Sequence, residues 1–395
     1  MNKYRILTAV LVGAIWGLAK ADAPSTLKDA YKDHFLVGVA INRTIALGAV
    51  VEANNVNRNL EQVKQDTALV KEQFNQISPE NDLKWQLIHP REGADGYDFG
   101  PADAYVNFGL SNGMCIVGHT LVWHSQTPNW VFAGTNPPPA EATKSTGRRF
   151  SFSGPRASRE ELLERMREHI HTVVGRYKGK IKVWDVVNEA IADGGTNLLR
   201  SSPWSQIIGP DFIAKAFEYA HEADPDAILR YNDYSLENST KRQRLITLIK
   251  GLQAQHVPVM AIGSQTHVSS TSPSFEEEDK VLTELETLGL PIHITEMDVN
   301  TARGGQRSTG ADVAGNAATT QGGQISHADK KQADAYTGLF RAFLKHKKSV
   351  KMVTLWGVND AVSWRADGKP LLFDGQNQPK PAFAAVIGAA KARVK

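Results

Sequence analysis

Short apolar runs rich in β-branched residues alternate along the chain with longer stretches in which apolar positions recur every three or four residues. The runs predict eight strands, at Phe35–Ile41, Gln76–Asn81, Met114–Val122, Ile181–Asn188, Ile228–Asp233, Val259–His267, Ile292–Val299 and Val350–Val358. The stretches between them predict helices at Arg159–Tyr177, Asp211–Ala223, Thr240–Gln255, Glu276–Leu288, Ala328–Lys345 and Ala382–Val394. In Arg159–Tyr177, the side chains of Leu162, Leu163, Met166, Ile170 and Val173 fall on one stripe. Ser158 followed by Glu161 has the form of a capping box at the start of that helix. Strands alternating with helices imply a parallel sheet, and eight such units in 395 residues fit a single α/β domain, a closed (β/α)8 TIM barrel. An open doubly wound sheet competes, but no Gly-x-Gly-x-x-Gly turn follows the first strand. Two segments, Gly134–Ser158 after strand 3, rich in Pro, Gly and Ser, and Thr301–Ser326 after strand 7, with six glycines among small polar residues, read as extended loops. In a barrel both would sit on the C-terminal face, where active sites lie.

The first 21 residues read differently. Lys3 and Arg5 precede an apolar run from Ile6 to Ala19, and Ala19-Lys20-Ala21 offers small residues for cleavage. This is the plan of a signal peptide over residues 1–21, leaving 22–395 as the barrel domain, secreted or periplasmic. An uncleaved anchor is the alternative, although the run is shorter than the roughly 20 apolar residues of a comfortable span. The leader also explains the charge. The whole chain carries +3, and without Lys3, Arg5 and Lys20 its basic and acidic residues balance at 42 each. Such a chain lacks the cationic surface that nucleic acid or an acidic membrane selects, so neither is expected as a partner once the leader is removed. Cys115 is the single cysteine, which excludes an internal disulfide and a multi-cysteine zinc site.

Candidate chemistry appears at strand ends. Glu189 closes the fourth strand candidate and Glu296 lies near the end of the seventh. A glutamate ending an apolar strand is poorly placed as a solvated surface charge, and an unpaired one is costly to bury. In a barrel mouth the two would face each other, as glycoside hydrolysis requires of a proton donor and a nucleophile. A structural pairing with Arg or Lys is the competing explanation for either one taken alone. Asn188 beside Glu189 offers an amide to a sugar hydroxyl. Asp298 stands two residues after Glu296, hence on the same face of a continuing strand, and Gln265 and His267 repeat that spacing on the neighbouring strand. His267 beside Glu296, steadied by Asp298, would keep the nucleophile ionised. Pyranose rings stack on indoles, and Trp123, Trp356 and Trp364 sit at or beyond strand ends; Asn81, Lys84, His119 and Gln126 are polar candidates for the hydroxyls.

Six strings occur in one order: Glu80-Asn81-Asp82-Leu83-Lys84-Trp85, His119-Thr120-Leu121-Val122-Trp123-His124, Trp184-Asp185-Val186-Val187-Asn188-Glu189-Ala190, Gly263-Ser264-Gln265-Thr266-His267, Ile294-Thr295-Glu296-Met297-Asp298 and Leu355-Trp356-Gly357. Together they resemble the endo-β-1,4-xylanases of glycoside hydrolase family 10, over about residues 30–390. The resemblance implies hydrolysis of internal β-1,4-xylosidic bonds with retention of configuration, Glu189 being the acid/base and Glu296 the nucleophile. It implies that His267 and Asp298 support Glu296 and that Asn188 binds the 2-hydroxyl of the sugar being cleaved. It further implies that Glu80, Asn81, Lys84, His119, Trp123, Gln126, Gln265, Trp356 and Trp364 bind the glycone, with Tyr234 near the leaving-group side. Xylan and xylo-oligosaccharides are then the partners of a monomeric enzyme that uses neither cofactor nor metal. Two departures stand out: Leu83 where many relatives carry Met, and Ser235 where asparagine is common. A β-1,4-glucanase on the same barrel and a xylan-binding protein without activity are the alternatives. A metal-dependent hydrolase using His119, His124 and His267 is disfavoured, because the spacing of His119 and His124 matches no common paired-ligand motif.

Overall fold

The computed structural model describes residues 26–51, 58–136, 154–302 and 326–392. The predicted leader and most of both extended loops lie outside the described residues. The eight barrel strands are β1 Leu36–Ile41, β2 Gln76–Pro79, β3 Cys115–Trp123, β4 Val183–Asn188, β5 Ile228–Asp233, β6 Ala261–Ser264, β7 Ile292–Asn300 and β8 Val350–Leu355. Each pairs in parallel with the next in sequence, and β8 returns to β1, so the sheet closes. Among the described residues, the eight longer helices cover it: α1 Leu60–Gln73, α2 Gly100–Ser111, α3 Arg159–Arg176, α4 Phe212–Ala223, α5 Ser239–Ala254, α6 Phe275–Glu286, α7 His327–Lys345 and α8 Pro381–Lys391. This is the predicted (β/α)8 barrel. Among the described residues no helix is long and apolar enough to cross a membrane.

Strands buried on both faces read as continuous apolar runs, which is why they were visible in the sequence. Helix α3 begins as predicted: Ser158 Oγ accepts from Glu161 N (3.1 Å), and Glu161 Oε2 accepts from Ser158 N (2.6 Å). Helices α1 and α2 were not among the predicted ones. The first has few apolar positions and the second opens with Gly100 and Pro101, so neither shows a strong stripe. Strand ends moved by a few residues. The largest correction concerns Val259–His267, which is broken rather than continuous. β6 stops at Ser264, Thr266 takes φ 56°, and a short strand, His267–Ser269, pairs with the end of β7.

Inside the barrel, Val117, Val183 and Met352 meet from β3, β4 and β8 and form an apolar floor separate from the main core. Above it lies a charged layer. Asp185 accepts from Arg230 (2.7 and 3.0 Å) and contacts His119 (3.0 Å), while Arg230 also meets His293 (3.0 Å). Burial penalises the Asp185 charge, yet Arg230 and the His119 hydrogen bond hold its pKa down to about 2. This layer supports the floor of the open end, where the candidate carboxylates emerge.

Candidate active site

β4 ends at Asn188, and Glu189 turns into the left-handed region at φ 57°. That conformation costs a residue with a Cβ about 1–2 kcal/mol, so the surroundings must hold it. Glu189 N donates to Asn232 O (2.9 Å), Ala190 N donates to the Tyr231 hydroxyl (3.0 Å), and Arg200 Nε donates to Glu189 O (3.1 Å). The half-buried Glu189 carboxylate accepts from two neutral donors, Trp123 Nε1 (2.9 Å) and Gln265 Nε2 (3.0 Å).

Glu296, on β7, has other company. One oxygen accepts from Asn232 Nδ2 (2.8 Å) and the other lies 3.3 Å from His267 Nε2. His267 Nδ1 is 2.8 Å from Asp298, which also accepts from Trp364 Nε1 (2.8 Å) and Arg365 (2.9 Å). Burial opposes a charge on His267, but Asp298, through its charge and its hydrogen bond, and Glu296 push its pKa up to about 9. Burial alone would favour neutral Glu296. The His267 hydrogen bond, with the His119 and His267 imidazoles close by, holds it below the ordinary carboxylate value. One glutamate therefore faces a cation and stays ionised, while the other rests on amide and indole N–H groups.

The two are joined across the mouth. Gln265 Nε2 reaches Asn188 Oδ1 (3.3 Å) as well as Glu189, and Asn232 Nδ2 reaches the same oxygen (3.0 Å) as well as Glu296. The break after β6 makes this possible. It sends Gln265 toward Glu189 and His267 toward Glu296, where an unbroken strand would have aimed both alike.

The predicted sugar contacts are linked to one another and to this pair by short contacts. Lys84 Nζ and Gln126 Nε2 both donate to Asn81 Oδ1 (2.8 and 3.4 Å), and Lys84 Nζ lies 5.1 Å from the centre of the Trp123 ring. Glu80 is buried at the end of β2, its N–H on Ile41 O (3.0 Å). Trp356 stands edge-on to His119 and His267, and Trp364 lies 4.8 Å from His267. Tyr234 is bound to Arg200 (2.8 Å) and Asp193 (2.5 Å), and through Arg200 it is linked to the Glu189 carbonyl. Burial pushes its phenol up to about 12, so it remains a donor. Of the departures, Leu83 is buried in the core, and Ser235 takes φ 55°, a conformation asparagine tolerates more readily.

Sequence reasoning missed Asn232, Arg200, Asp193, Lys241 and the Asp185–Arg230–His293 layer. Asn232 and Asp233 end β5 as Glu189 follows β4, so the same strand-end signal was present. Arg200 lies in the loop before α4 and carries no pattern that would find it.

A closed parallel barrel presenting two unlike glutamates at the C-terminal ends of β4 and β7 defines a glycoside hydrolase. The family description that matches residues 26–389 is Glycosyl hydrolase family 10, and the chain belongs to that family. It is 35% identical over 393 residues to the Beta-1,4-xylanase of Dictyoglomus thermophilum, covering 97% of each chain. To the Endo-1,4-beta-xylanase of Geobacillus stearothermophilus it is 36% identical, covering 92% of this chain and 98% of the relative. Among solved structures, a GH10 endoxylanase from a sugarcane soil metagenome superposes with a TM-score of 0.77 at 36% identity, covering 92% of this chain and 99% of the other. Xylanase 10B of Thermotoga petrophila, solved with xylobiose, gives 0.75 at 33% identity, with 94% and 99% covered.

Proposed function

We propose that this protein is a secreted endo-β-1,4-xylanase that cleaves internal bonds of xylan with retention of configuration, by double displacement. The observation that carries the reading is the unequal support of the two glutamates: Glu296 against the His267–Asp298 pair, Glu189 against Trp123 and Gln265. The ionised Glu296 attacks the anomeric carbon while Glu189 gives its proton to the departing oxygen. The negative charge on Glu296 disappears as the glycosyl ester forms. Glu189 then takes a proton from water, which attacks the anomeric carbon from the face the leaving group vacated and releases the Glu296 carboxylate. Asn188 steadies the 2-hydroxyl of the sugar being cleaved. Glu80, Asn81, Lys84, His119, Trp123, Gln126, Gln265, Trp356 and Trp364 hold the glycone, and Tyr234 meets the leaving group. The names of the relatives support xylan over a β-glucan as substrate. The leader over residues 1–21 would direct the enzyme, acting as a monomer, out of the cytoplasm.

The test is Glu296→Ala beside Glu189→Ala, with NMR of the first product from a xylo-oligosaccharide. Loss of turnover in Glu296→Ala, survival of activated aryl substrates in Glu189→Ala and a β-anomer as first product are expected. Full activity in either variant, or an α-anomer first, overturns the reading. Reducing sugar released from cellulose at the rate seen on xylan would move the substrate to a glucan. Protein retained in the cytoplasm when expressed with residues 1–21 would remove the secretion claim.

A further inference from the structure

We propose that Arg200 is a positioning residue that clamps Glu189 in its catalytic orientation and ties it to the leaving-group side of the cleft. The inference rests on the reading of Glu189 as acid/base. Arg200 lies outside any strand, in the loop between β4 and α4, yet it grips the turn after β4 at two points. Its backbone N donates to Ala190 O (2.8 Å), and its side-chain Nε donates to Glu189 O (3.1 Å). A bridge between Ile191 and Leu199 pins the base of the loop, and Ser205 Oγ donates to Arg200 O (2.8 Å). The far end of the guanidinium donates to the Tyr234 hydroxyl (2.8 Å) and to Asp193 Oδ2 (2.9 Å). Tyr234 donates to the same Asp193 oxygen (2.5 Å). Lys241 Nζ holds the other Asp193 oxygen (2.8 Å) and lies 3.3 Å from the Tyr234 ring centre.

A plain surface ion pair is the competing role for Arg200, and with Asp193 at 43% side-chain exposure such a pair would be worth little. It would not explain the bond to the Glu189 carbonyl. Glu189 holds an unfavourable left-handed backbone, and the direction of its side chain follows from that backbone. The charged Nε–H on its carbonyl offsets the strain. Without it the Glu189 carbonyl loses this side-chain partner, the turn rests on the Glu189, Ala190 and Arg200 backbone N–H bonds, and the carboxyl shifts out of line with the departing oxygen. Because the same guanidinium holds Tyr234, a sugar seated there and the proton donor share one rigid support.

The test uses the full-length enzyme and kcat/KM, which reports bond cleavage up to the glycosyl ester. Wild type, Arg200→Met, Arg200→Lys and Glu189→Ala are compared on phenyl and on 2,4-dinitrophenyl β-xylobioside. The phenyl leaving group needs a proton and the dinitrophenyl group does not. Arg200→Met is expected to lose about tenfold or more on the phenyl substrate and about threefold or less on the dinitrophenyl one, a discrimination general-acid loss predicts. Arg200→Lys, which keeps a cation and one reach of hydrogen bonding, should fall between Arg200→Met and wild type. It also carries the test if Arg200→Met does not fold. Equal losses on both substrates in the Arg200 variants, beside a steep difference in Glu189→Ala, overturn the role of Arg200 alone. Equal losses in Glu189→Ala overturn the acid/base assignment and this inference with it.

Discussion

Replacing Asp298 by Asn probes the support of Glu296 without touching either glutamate. Asp298 is fully buried, and its charge is the main force lifting His267 from the ordinary 6.5 to about 9. At 1.36 kcal/mol per pH unit, that rise corresponds to about 3 kcal/mol of stability. The His267 side chain is only 10% exposed, so solvent screens little of it. A group whose folded pKa is raised contributes fully below its unfolded pKa and loses the contribution as pH rises through the folded one. The wild type should therefore hold this increment below about pH 6.5 and lose it by about pH 10. In Asp298→Asn, His267 titrates near or below its ordinary value, so the increment is absent at every pH. Asp298 stays ionised across this window and adds no slope, so the difference between the proteins isolates His267. Denaturant unfolding at several pH values should show the gap narrowing by most of the 3 kcal/mol, roughly, toward alkaline pH. NMR of the imidazole nitrogens reads the titration directly. A wild-type His267 titrating at or below 6.5, or two stability curves that run parallel, would refute the reasoning.

Other perturbations follow from single contacts. Trp123→Phe keeps a ring in the cleft but removes the N–H on Glu189; kcat/KM should fall by about tenfold, the worth of one hydrogen bond to an ionisable group, with little change in Tm. A Cβ at Gly263 would stand 2.3 Å from Asn232 Oδ1, so Gly263→Ala should push Asn232 away from Glu296 and reduce kcat while the far-ultraviolet circular dichroism stays unchanged. A Gly263→Ala variant with wild-type kcat would show that Asn232 does not orient the nucleophile. Ser158→Ala breaks the capping box of α3 and should cost about 1 kcal/mol in denaturant unfolding with kcat/KM unaltered.

Much of this site is legible in the sequence. Glu189 and Glu296 stand out because a carboxylate at the end of an apolar strand is unusual, and Asp298 follows Glu296 at the spacing a β-strand repeats. His267 stands out by the same spacing from Gln265, although the strand is broken between them. Nothing local foretells that Thr266 will turn left-handed and send Gln265 to one glutamate and His267 to the other. The partners that orient the chemistry are far apart along the chain: Asn232 and Glu296 are separated by 64 positions, Asp185 and Arg230 by 45.

Hydrophobic periodicity is a local property, and it is enough to set the number of strands and their order. Which polar side chains meet is decided by barrel closure and strand stagger, which no window of sequence contains. The unequal electrostatics of the two glutamates, and the grip of Arg200 on the turn that carries one of them, arise only when separate strands and loops converge.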